Sequence, residues 1–411
     1  MDLLARVRRK PKGKYVLSLD LGTRMVKAMV SYVDYEEHKV ANLGIGRAEQ
    51  AAGNIVGGRV SDVKGVTTAC RQAVEEAVRA AKVRPDEVIM GFSGNTAKLC
   101  THNFEFQREE PGEKMDAGEL KELVKNVHLQ SLDRIKEGLT YKEKQLGIKL
   151  VSSDIVNLSI DGYRVINPLS FRGKRVRVTV SASYVLSSDY DIINSIAVAL
   201  KLRLARIAYG PYAVIKAIGA EDALNFSAVM IDVGGNITDV VVVKNGNIQN
   251  ASMFILGGHL FTKRLAHEFN LSEKNAEDLK VNYAKGRLDD KDQRRIASLL
   301  AEDLELWYSG VEFILQDASK EALIPAKLLC YGGGSQLPGL AATLNRLPNG
   351  TIPFSDKLQL GFIHSSHISG NTDKTGKLDN FQDITMLALA HLCLGKLDEE
   401  DTPNRFLAQI I

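Results

Sequence analysis

The run Ala228-Val-Met-Ile-Asp232-Val-Gly234-Gly235-Asn236-Ile-Thr238-Asp239-Val-Val-Val-Val243 lies in the middle part of the chain. An apolar run ending in aspartate, a glycine turn and a second apolar run predict two strands joined tightly. Glycine lets the backbone approach a ligand closely, so successive N–H groups can point at phosphate oxygens. The strand-end carboxylate supplies an oxygen ligand for Mg²⁺, usually through water. This run therefore predicts a phosphate-binding turn with a metal-side carboxylate at Asp232.

The same pattern occurs earlier in the chain, in Tyr15-Val-Leu-Ser-Leu-Asp20-Leu-Gly22-Thr23. Asp20 and Asp232 are 212 positions apart, about half of the 411-residue chain. A recurrence at that distance indicates two related halves rather than a solenoid repeat. Two such turns that face each other across a cleft could clamp a polyphosphate between them.

A third glycine turn, Gly332-Gly333-Gly334, follows a strand predicted over 327–331. Glycines here suit the flat face of a base, which can then lie against the backbone. The alternative interpretation is that each of the three turns only joins two strands. Their order and spacing favour a nucleotide site over that alternative.

Composition excludes several classes of protein. The chain is 45% hydrophobic and 25% charged, which is typical of a soluble globular protein of two to four units. Residues 1–14 carry a net charge of +5, which leaves −2 for the rest, so we expect no nucleic-acid groove. Four dispersed cysteines favour neither disulfides nor structural zinc. With no signal peptide and no apolar stretch of membrane-spanning length, a cytoplasmic protein is expected.

Other catalytic and nucleotide motifs are absent from the sequence, including the P-loop, a Rossmann glycine fingerprint, HExxH and GxSxG. His259 follows Gly257-Gly258, and we interpret it as a histidine at the start of a helix rather than a catalytic group. His364 and His367 have no carboxylate or cysteine at ligand spacing, so no metal site is expected there.

The hydrophobic pattern predicts an α/β protein with mixed sheets. Strands are expected over 15–33, from Val88, over 155–185, on both sides of the 234–236 turn, and over 327–331. Helices are expected over 61–82, 188–201 and most of 258–320, and 107–149 is expected to be helical or loop-like.

The three turns resemble the motifs of the actin-like ATPases. Val16-Leu-Ser-Leu-Asp20-Leu-Gly22-Thr23-Arg24-x-x-Lys27 resembles their first phosphate motif, Ile231–Asp239 their second, and Tyr331–Leu340 their adenosine motif. Glu277-x-x-Lys280 is similar to the helix that reaches ribose and base, and Tyr209-Gly210-Pro211 marks the first connecting helix. The resemblance implies a duplicated ribonuclease H-like fold, with two lobes around a nucleotide cleft and an inserted small α+β subdomain.

The resemblance also implies the residues that bind ATP and Mg²⁺. Asp20 and Asp232 are the metal-side carboxylates, acting through water. The implied nucleotide contacts are Asp20, Gly22, Thr23, Arg24, Lys27, Asp232, Gly234, Gly235, Asn236, Thr238, Glu277, Lys280, Gly332, Gly333, Gly334 and Ser335. Asn236 replaces a frequent glycine, and Ile237 replaces a frequent threonine near the γ-phosphate. We therefore expect ATP binding with at most slow hydrolysis, and no residue is assigned to orient the attacking water.

Within this superfamily the chain resembles the FtsA family of bacterial cell division, most specifically over Asp161–Val176. The related PilM family, cytoplasmic platforms of type IV pili, is the alternative. A sugar kinase of the same fold is a further one, although no catalytic aspartate in a sugar pocket is evident.

The resemblance predicts a division of the chain into consecutive units. They are a basic tail (1–14), a first lobe (15–85 and 184–225), an inserted subdomain (86–183), a second-lobe core (226–257 and 326–360), a small helical subdomain (258–325), a return to the first lobe (361–396), and a linker with a short amphipathic segment (397–411).

The function implied by the resemblance is polymerisation on the inner face of the membrane at the division site, where the protein tethers FtsZ filaments. Its expected partners are the FtsZ C-terminal tail, further copies of itself and an anionic membrane surface, with no nucleic acid. The FtsZ tail is expected on the 258–325 subdomain, where Arg294 and Arg295 are either contacts or a solvated helix face.

Both ends of the chain offer a candidate membrane anchor. One is the basic amphipathic stretch around Leu3, Leu4 and Val7, and the other is the apolar group Phe406, Leu407, Ile410 and Ile411. The alternatives are a basic tail that only keeps the protein soluble and a chain that is cut short of its anchor.

Overall fold

The structure is a computed structural model that describes residues 12–94, 97–165, 167–219, 225–379 and 381–394. In these residues the strands are β1 (Gly13–Leu21), β2 (Met25–Asp34), β3 (Lys39–Glu49), β4 (Ile55–Val56), β5 (Arg59–Val60), β6 (Glu87–Phe92), β7 (Ala97–Gln107), β8 (Ile148–Ile160), β9 (Tyr163–Arg164), β10 (Arg175–Leu186), β11 (Arg203–Tyr209), β12 (Ala228–Val233), β13 (Thr238–Lys244), β14 (Asn247–Phe254), β15 (Lys327–Tyr331), β16 (Gln359–Phe362) and β17 (Asn371–Asp373). The helices there are α1 (Val63–Ala81), α2 (Ala117–Gly138), α3 (Tyr141–Leu146), α4 (Ser187–Ala199), α5 (Gly210–Ile218), α6 (Gly258–Glu268), α7 (Glu273–Ala284), α8 (Asp290–Ser319), α9 (Leu340–Leu344) and α10 (Ile384–His391).

The first lobe is built on a sheet whose described strands run in the order β11-β6-β1-β2-β3-β17. β1 pairs antiparallel with β2 and parallel with β6. Both faces of β1 are buried, with Leu17 and Leu19 on one and Ser18 on the other, as expected for a strand that lies inside a covered sheet. The β1–β2 turn, residues 22–24, is therefore held at the edge of a rigid layer.

The second lobe repeats this arrangement. Its described strands run in the order β14-β13-β12-β15-β16, with β12 antiparallel to β13 and parallel to β15. Each lobe thus has a hairpin whose first strand also pairs parallel with a later strand. The two related halves predicted from the recurring aspartate turn are present in the structure.

Residues 97–186 include a separate four-stranded sheet, in the described order β7-β10-β8-β9. Alternation along β10 buries Val176, Val178 and Val180. These valines form a core with Leu120 and Val124 of α2, distinct from the cores of the two lobes. The inserted α+β layer is therefore an independently packed unit within the chain.

The two lobes share part of their core at the base of the cleft. Ala228 and Met230 of β12 pack with the residues of the first lobe. The alternating Val229, Ile231 and Val233 pack on the opposite face, with the helices of the second lobe. Successive β12 side chains point to opposite faces, so this strand connects the two cores.

Most of the predicted elements are confirmed with shifted ends. The helix expected over 61–82 is α1, that expected over 188–201 is α4, and the connecting helix is α5, which begins at Gly210 with Pro211 in its first turn. No helix among the described residues is both long and apolar enough to cross a membrane. The two candidate anchors, Leu3–Val7 and Phe406–Ile411, lie outside the described residues.

Candidate nucleotide cleft

A cavity of about 390 Å³ lies between the β1–β2 turn and the β12–β13 turn. Most of the nucleotide contacts predicted from the sequence line it: Asp20, Gly22, Thr23, Arg24, Lys27, Asp232, Gly234, Gly235, Glu277, Lys280, Gly332, Gly333 and Gly334. These residues come from both lobes and from segments more than 300 positions apart. The fold therefore brings the three predicted turns together at one place.

The first turn carries a compensated charge. Asp20 and Lys27 lie opposite each other in the β1–β2 pair, and Lys27 Nζ donates to Asp20 Oδ2 at 2.9 Å. Lys27 also donates to the carbonyl oxygen of Gln382. Burial alone would lower the pKa of Lys27, but the carboxylates of Asp20, Asp383 and Asp232 raise it above its ordinary value. The lysine is therefore charged and held at the floor of the cavity.

The second turn carries two carboxylates and no cation of its own hairpin opposite them. Asp232 and Asp239 are paired directly across β12 and β13, where like charges repel. Burial raises the pKa of Asp232 well above its usual value, and the carboxylates of Asp239 and Asp20 raise it further, against the opposite effect of Lys27. Burial raises the pKa of Asp239 to about 6. A cation placed here would relieve both carboxylates.

Asp239 also connects the second lobe to the first. Its Oδ1 accepts a hydrogen bond from the Tyr209 hydroxyl at 2.8 Å and from the Gly94 amide at 3.2 Å. Tyr209 ends β11 and Gly94 follows β6, and both strands belong to the first-lobe sheet, although the predicted boundary at 86 assigns β6 to the inserted subdomain. Asp239 therefore fixes the relative position of the two sheets at the base of the cavity.

The third turn lines the cavity with three consecutive glycines, Gly332 to Gly334. Gly332 has a φ of 87°, a conformation that favours glycine. A Cβ on Gly334 would lie 2.6 Å from Val233 Cγ1 and 3.0 Å from the Val233 carbonyl oxygen. Only glycine permits this close packing of the third turn on the second. Val281, Ala284 and Leu337 also line the cavity, so its wall includes apolar surface on which a flat ring can stack.

Glu277 lies at the centre of a charged group on the α7 side of the cavity. Its Oε2 is 2.5 Å from Arg24 Nη1 and 2.7 Å from Lys280 Nζ. The Thr262 hydroxyl donates to the same oxygen at 2.5 Å. Burial would raise the pKa of Glu277, but these partners lower it below its ordinary value. The carboxylate is therefore ionised and fixed in orientation.

Three predicted contacts, Asn236, Thr238 and Ser335, are not among the residues that line the cavity. The Asn236 amide donates to Thr23 Oγ1 at 3.0 Å, so the two phosphate turns touch. The Thr238 hydroxyl donates to the Leu256 carbonyl at 2.7 Å and accepts from Trp307 Nε1 at 2.9 Å. The Ser335 hydroxyl donates to the Gly332 carbonyl at 2.7 Å. Thr238 and Ser335 therefore hold the framework of the second and third turns.

Sequence reasoning missed Asp239 as a residue of the site. A signal was present, since Lys27 follows Asp20 by seven positions and Asp239 follows Asp232 at the same interval. In a hairpin with a short turn, that interval places the second residue opposite the first. Ser93, Gln382 and Thr385 also line the cavity, but they carry no pattern that sequence alone could have used.

Four residues that the sequence analysis weighed as functional candidates, His259, His364, Arg294 and Arg295, lie in local structure outside the three turns. His259 lies in the first turn of α6, as predicted, and burial lowers its pKa. His364 and His367 stack on each other with ring centroids 5.6 Å apart. Arg294 donates to the Asp290 carbonyl, and the Arg295 guanidinium lies 4.6 Å from the centre of the Phe269 ring.

The donor set of the cleft fits Mg²⁺ and a polyphosphate. Carboxylate oxygens are the protein ligands that Mg²⁺ prefers, and it is usually held by one or two of them together with water and phosphate. Asp20, Asp232 and Asp239 supply such oxygens, while Gly234 and Gly235 present a backbone turn. In the part of the chain that the structure describes, no group of three or more histidine, cysteine or acidic side chains could hold a metal alone.

Comparison with solved structures defines the class of protein. One chain of the PilM–PilN type IV pilus biogenesis complex superposes with a TM-score of 0.65 at 17% sequence identity, covering 92% of this chain and 98% of that one. Together with the two related lobes around a cleft, this similarity shows an actin-like fold. The fold class predicted from the three turns is confirmed.

Comparison of sequences then identifies the relatives within that class. The family model of the cell-division protein FtsA matches residues 229–369. FtsA of Neisseria meningitidis serogroup B is 25% identical over 274 residues, which is 66% of this chain and 61% of that protein. FtsA of Agrobacterium fabrum is 24% identical over 376 residues, covering 82% of this chain and 80% of that protein.

The chain is thus an actin-like protein similar to FtsA, and the resemblance read from the sequence is confirmed. Its alignment with the Neisseria protein spans less than two thirds of that relative's length.

Proposed function

We propose that this chain is an ATP-binding protein of bacterial cell division, which polymerises at the inner face of the membrane and tethers FtsZ filaments there. The observation that supports it most directly is the convergence of three separate glycine turns on one cavity, lined by Asp20, Lys27 and Asp232. The similarity to FtsA supports the cellular role.

In this proposal the phosphates of ATP lie between the two aspartate turns and the nucleoside lies toward α7. The backbone of Gly22 and Gly235 lines the phosphate side, the Gly234 amide closes its own turn by donating to the Ile237 carbonyl at 2.9 Å, and Lys27 supplies a fixed positive charge. Asp20, Asp232 and Asp239 are available to the water shell of Mg²⁺. Val281, Ala284 and the Gly333–Gly334 backbone supply the surface for the base.

ATP acts in this proposal as a ligand for assembly rather than as a rapidly hydrolysed substrate. Ile237 lines the cavity and is buried, where a threonine would offer a hydroxyl. The Asp239 carboxylate already accepts bonds from Tyr209 and Gly94. Neither residue is therefore placed to activate a water molecule without rearrangement, which agrees with at most slow ATPase activity.

The cellular role is tested by a fluorescence-anisotropy titration in the presence of Mg²⁺ and ATP. The labelled peptides are the C-terminal tail of FtsZ from the source organism and the N-terminal tail of a PilN-like protein. Saturable micromolar binding of the FtsZ tail alone supports the division role. Binding of the pilus peptide alone replaces it with the PilM-like role, and binding of neither withdraws the named function while leaving the fold in place.

Nucleotide binding is tested by calorimetric titration of Mg²⁺·ATP into the wild type and the variant Asp20→Asn. We expect the variant to lose about tenfold or more in affinity, because a charged, partly desolvated contact is removed. Asp303→Asn is the matched control, since Asp303 is buried to the same degree and ion-paired with Arg264 at 2.9 Å, and neither residue lines this cavity. Equal affinities for Asp20→Asn and wild type would contradict the proposed site.

A further inference from the structure

Two polar contacts join the lobes directly across the predicted phosphate turns. Thr23 Oγ1 accepts the Asn236 amide at 3.0 Å. Arg24 Nη1 lies 2.5 Å from Glu277 Oε2. Thr23 and Arg24 belong to the β1–β2 turn of the first lobe, whereas Asn236 and Glu277 belong to the second lobe. Any separation of the lobes that widens this part of the cleft must break both contacts.

The Arg24–Glu277 ion pair has an acceptor whose orientation is fixed by its neighbours. The side chains are 29% and 17% exposed, so water reaches only part of the pair. Lys280 and Thr262 hold the Glu277 carboxylate from the second lobe. The acceptor is therefore oriented before Arg24 reaches it, which reduces the entropy that the contact would otherwise lose.

Gly235 allows the two turns to come this close. A Cβ at this position would lie 2.9 Å from Arg24 Cβ and 3.1 Å from Thr23 Oγ1. The glycine thus serves the contact between the lobes as well as any approach to a phosphate. The β1–β2 turn and the β12–β13 turn are packed as a pair that closes one side of the cavity.

We propose that Arg24 and Glu277 form an ionic latch across the cleft, which must open each time a nucleotide enters or leaves. This inference rests on the proposed nucleotide binding and names how exchange at that site is regulated. The latch sets the rate of nucleotide release. Because part of the pair is open to solvent, salt weakens the latch, and release becomes faster as ionic strength rises.

Nucleotide release is measured by stopped flow, chasing a fluorescent N-methylanthraniloyl ATP from the full chain with excess unlabelled ATP. We expect Arg24→Gln to release it about three- to tenfold faster than wild type, the range of a partly exposed ion pair. We expect an intermediate rate for Arg24→Lys, which keeps the charge but not the planar donor geometry. The rate for Arg24→Gln should also depend less on salt.

The matched control is Arg264→Gln. Arg264 is 34% exposed and ion-paired at 2.9 Å with the buried Asp303, joining α6 to α8 inside the second lobe. This variant should lower the melting temperature without changing the release rate by more than about twofold. Faster release in both variants would assign the effect to general destabilisation and overturn the latch.

A second measurement needs no nucleotide. Hydrogen exchange of the Asn236 backbone amide reports the contact between the lobes. Exchange of the Gly258 backbone amide, which donates to the Gly234 carbonyl at 2.9 Å, reports the second lobe alone. Arg24→Gln should speed exchange at Asn236 and leave Gly258 unchanged.

The two measurements separate failure of the latch from failure of the nucleotide site. Unchanged exchange at Asn236 overturns the latch even if nucleotide binds. Unchanged release overturns its role in exchange. If no variant binds nucleotide, the proposed function fails, and the Asn236 amide still decides whether the two lobes are latched.

Discussion

The two lobes present the same turn with opposite electrostatic character. In the first, the strand that follows the turn places Lys27 against Asp20. In the second, the equivalent position holds Asp239 against Asp232. Both hairpins lie in the middle of a covered sheet, so neither pair is free to move into solvent. The first lobe therefore lines the cavity with a neutral pair, Asp20–Lys27, while the second lines it with two acidic residues, Asp232 and Asp239.

This difference indicates that the charges of the two turns are balanced in different ways. A buried ion pair such as Asp20–Lys27 is satisfied without a ligand, and it fixes the position of a positive charge in the cavity. Two buried carboxylates opposite each other repel, so a proton or an added cation stabilises them beyond what Lys27 contributes at Asp232 and the two hydrogen bonds contribute at Asp239. The charge of the first turn is thus balanced within the protein, whereas in the proposed nucleotide site a metal ion would balance that of the second.

The largest effect that tests this comparison is expected from Lys27→Met. Removing the cation leaves the Asp20 carboxylate buried without its partner, whereas the nearby Asp383 keeps its ion pair with Arg47. We expect a loss of about 3 kcal/mol in the free energy of unfolding at pH 7.5, measured by urea denaturation. The double variant Lys27→Met with Asp20→Asn should recover most of it. An unchanged urea midpoint for the single variant would contradict a compensated first turn.

In the second lobe, Asp239→Asn is expected to raise the free energy of unfolding rather than lower it. The folded pKa of Asp239, about 6, lies above the ordinary value of an aspartate. Protonated Asp239 therefore contributes to the stability of the wild type at pH 4, and this contribution is lost as the pH rises through about 6. The asparagine can still accept from Tyr209 and Gly94, so we expect a gain of about 2 kcal/mol at pH 7.5 that disappears toward pH 4.

Calorimetric melting of the nucleotide-free protein at several pH values checks this expectation. The same variant should bind Mg²⁺·ATP more weakly, because the carboxylate that destabilises the free protein is the one that attracts the cation. Higher stability together with weaker binding would distinguish a site residue from a structural one. A variant that is less stable than wild type at pH 7.5 would refute the excess charge in the second turn.

A smaller effect is expected where the two turns meet, from Gly235→Ala. The added methyl group would lie 2.9 Å from Arg24 Cβ, so the first turn must shift. We expect a loss of about 1 kcal/mol in stability, measured by melting temperature. Gly112→Ala is the control, since no atom lies within 4 Å of a Cβ at that position. Equal melting temperatures for the two variants would show that the turns are not in firm contact.

Much of the site could be predicted from the sequence because its signals are local. Asp20, Gly22 and Thr23 fall within four positions of one another, and so do Asp232, Gly234 and Gly235. A strand that ends in aspartate before a glycine turn needs no distant residue to be recognised. The same local patterns indicated α1, α4 and the alternating valines of β10.

Other parts of the site depended on contacts that no local pattern encodes. Thr238 was predicted to contact nucleotide because it lies in the second motif, but its hydroxyl is bonded to Leu256 and Trp307. The orientation of a strand residue follows from which face the helices cover, and α8 covers that face. Gln382 reaches the cavity from 355 positions beyond Lys27, so its place depends on the return of the chain to the first lobe.

The sequence by itself determined the three glycine turns, the duplication and hence the actin-like class. Apolar strands, glycine turns and their spacing are local properties of the chain, and they follow from backbone geometry and burial. Only the tertiary structure decided the burial of the two opposed pairs, the Asp239 connection to Tyr209, and the meeting of Arg24 with Glu277. These depend on strand register and on the closure of one lobe against the other, because the energies of buried charges are set by neighbours that are distant in sequence.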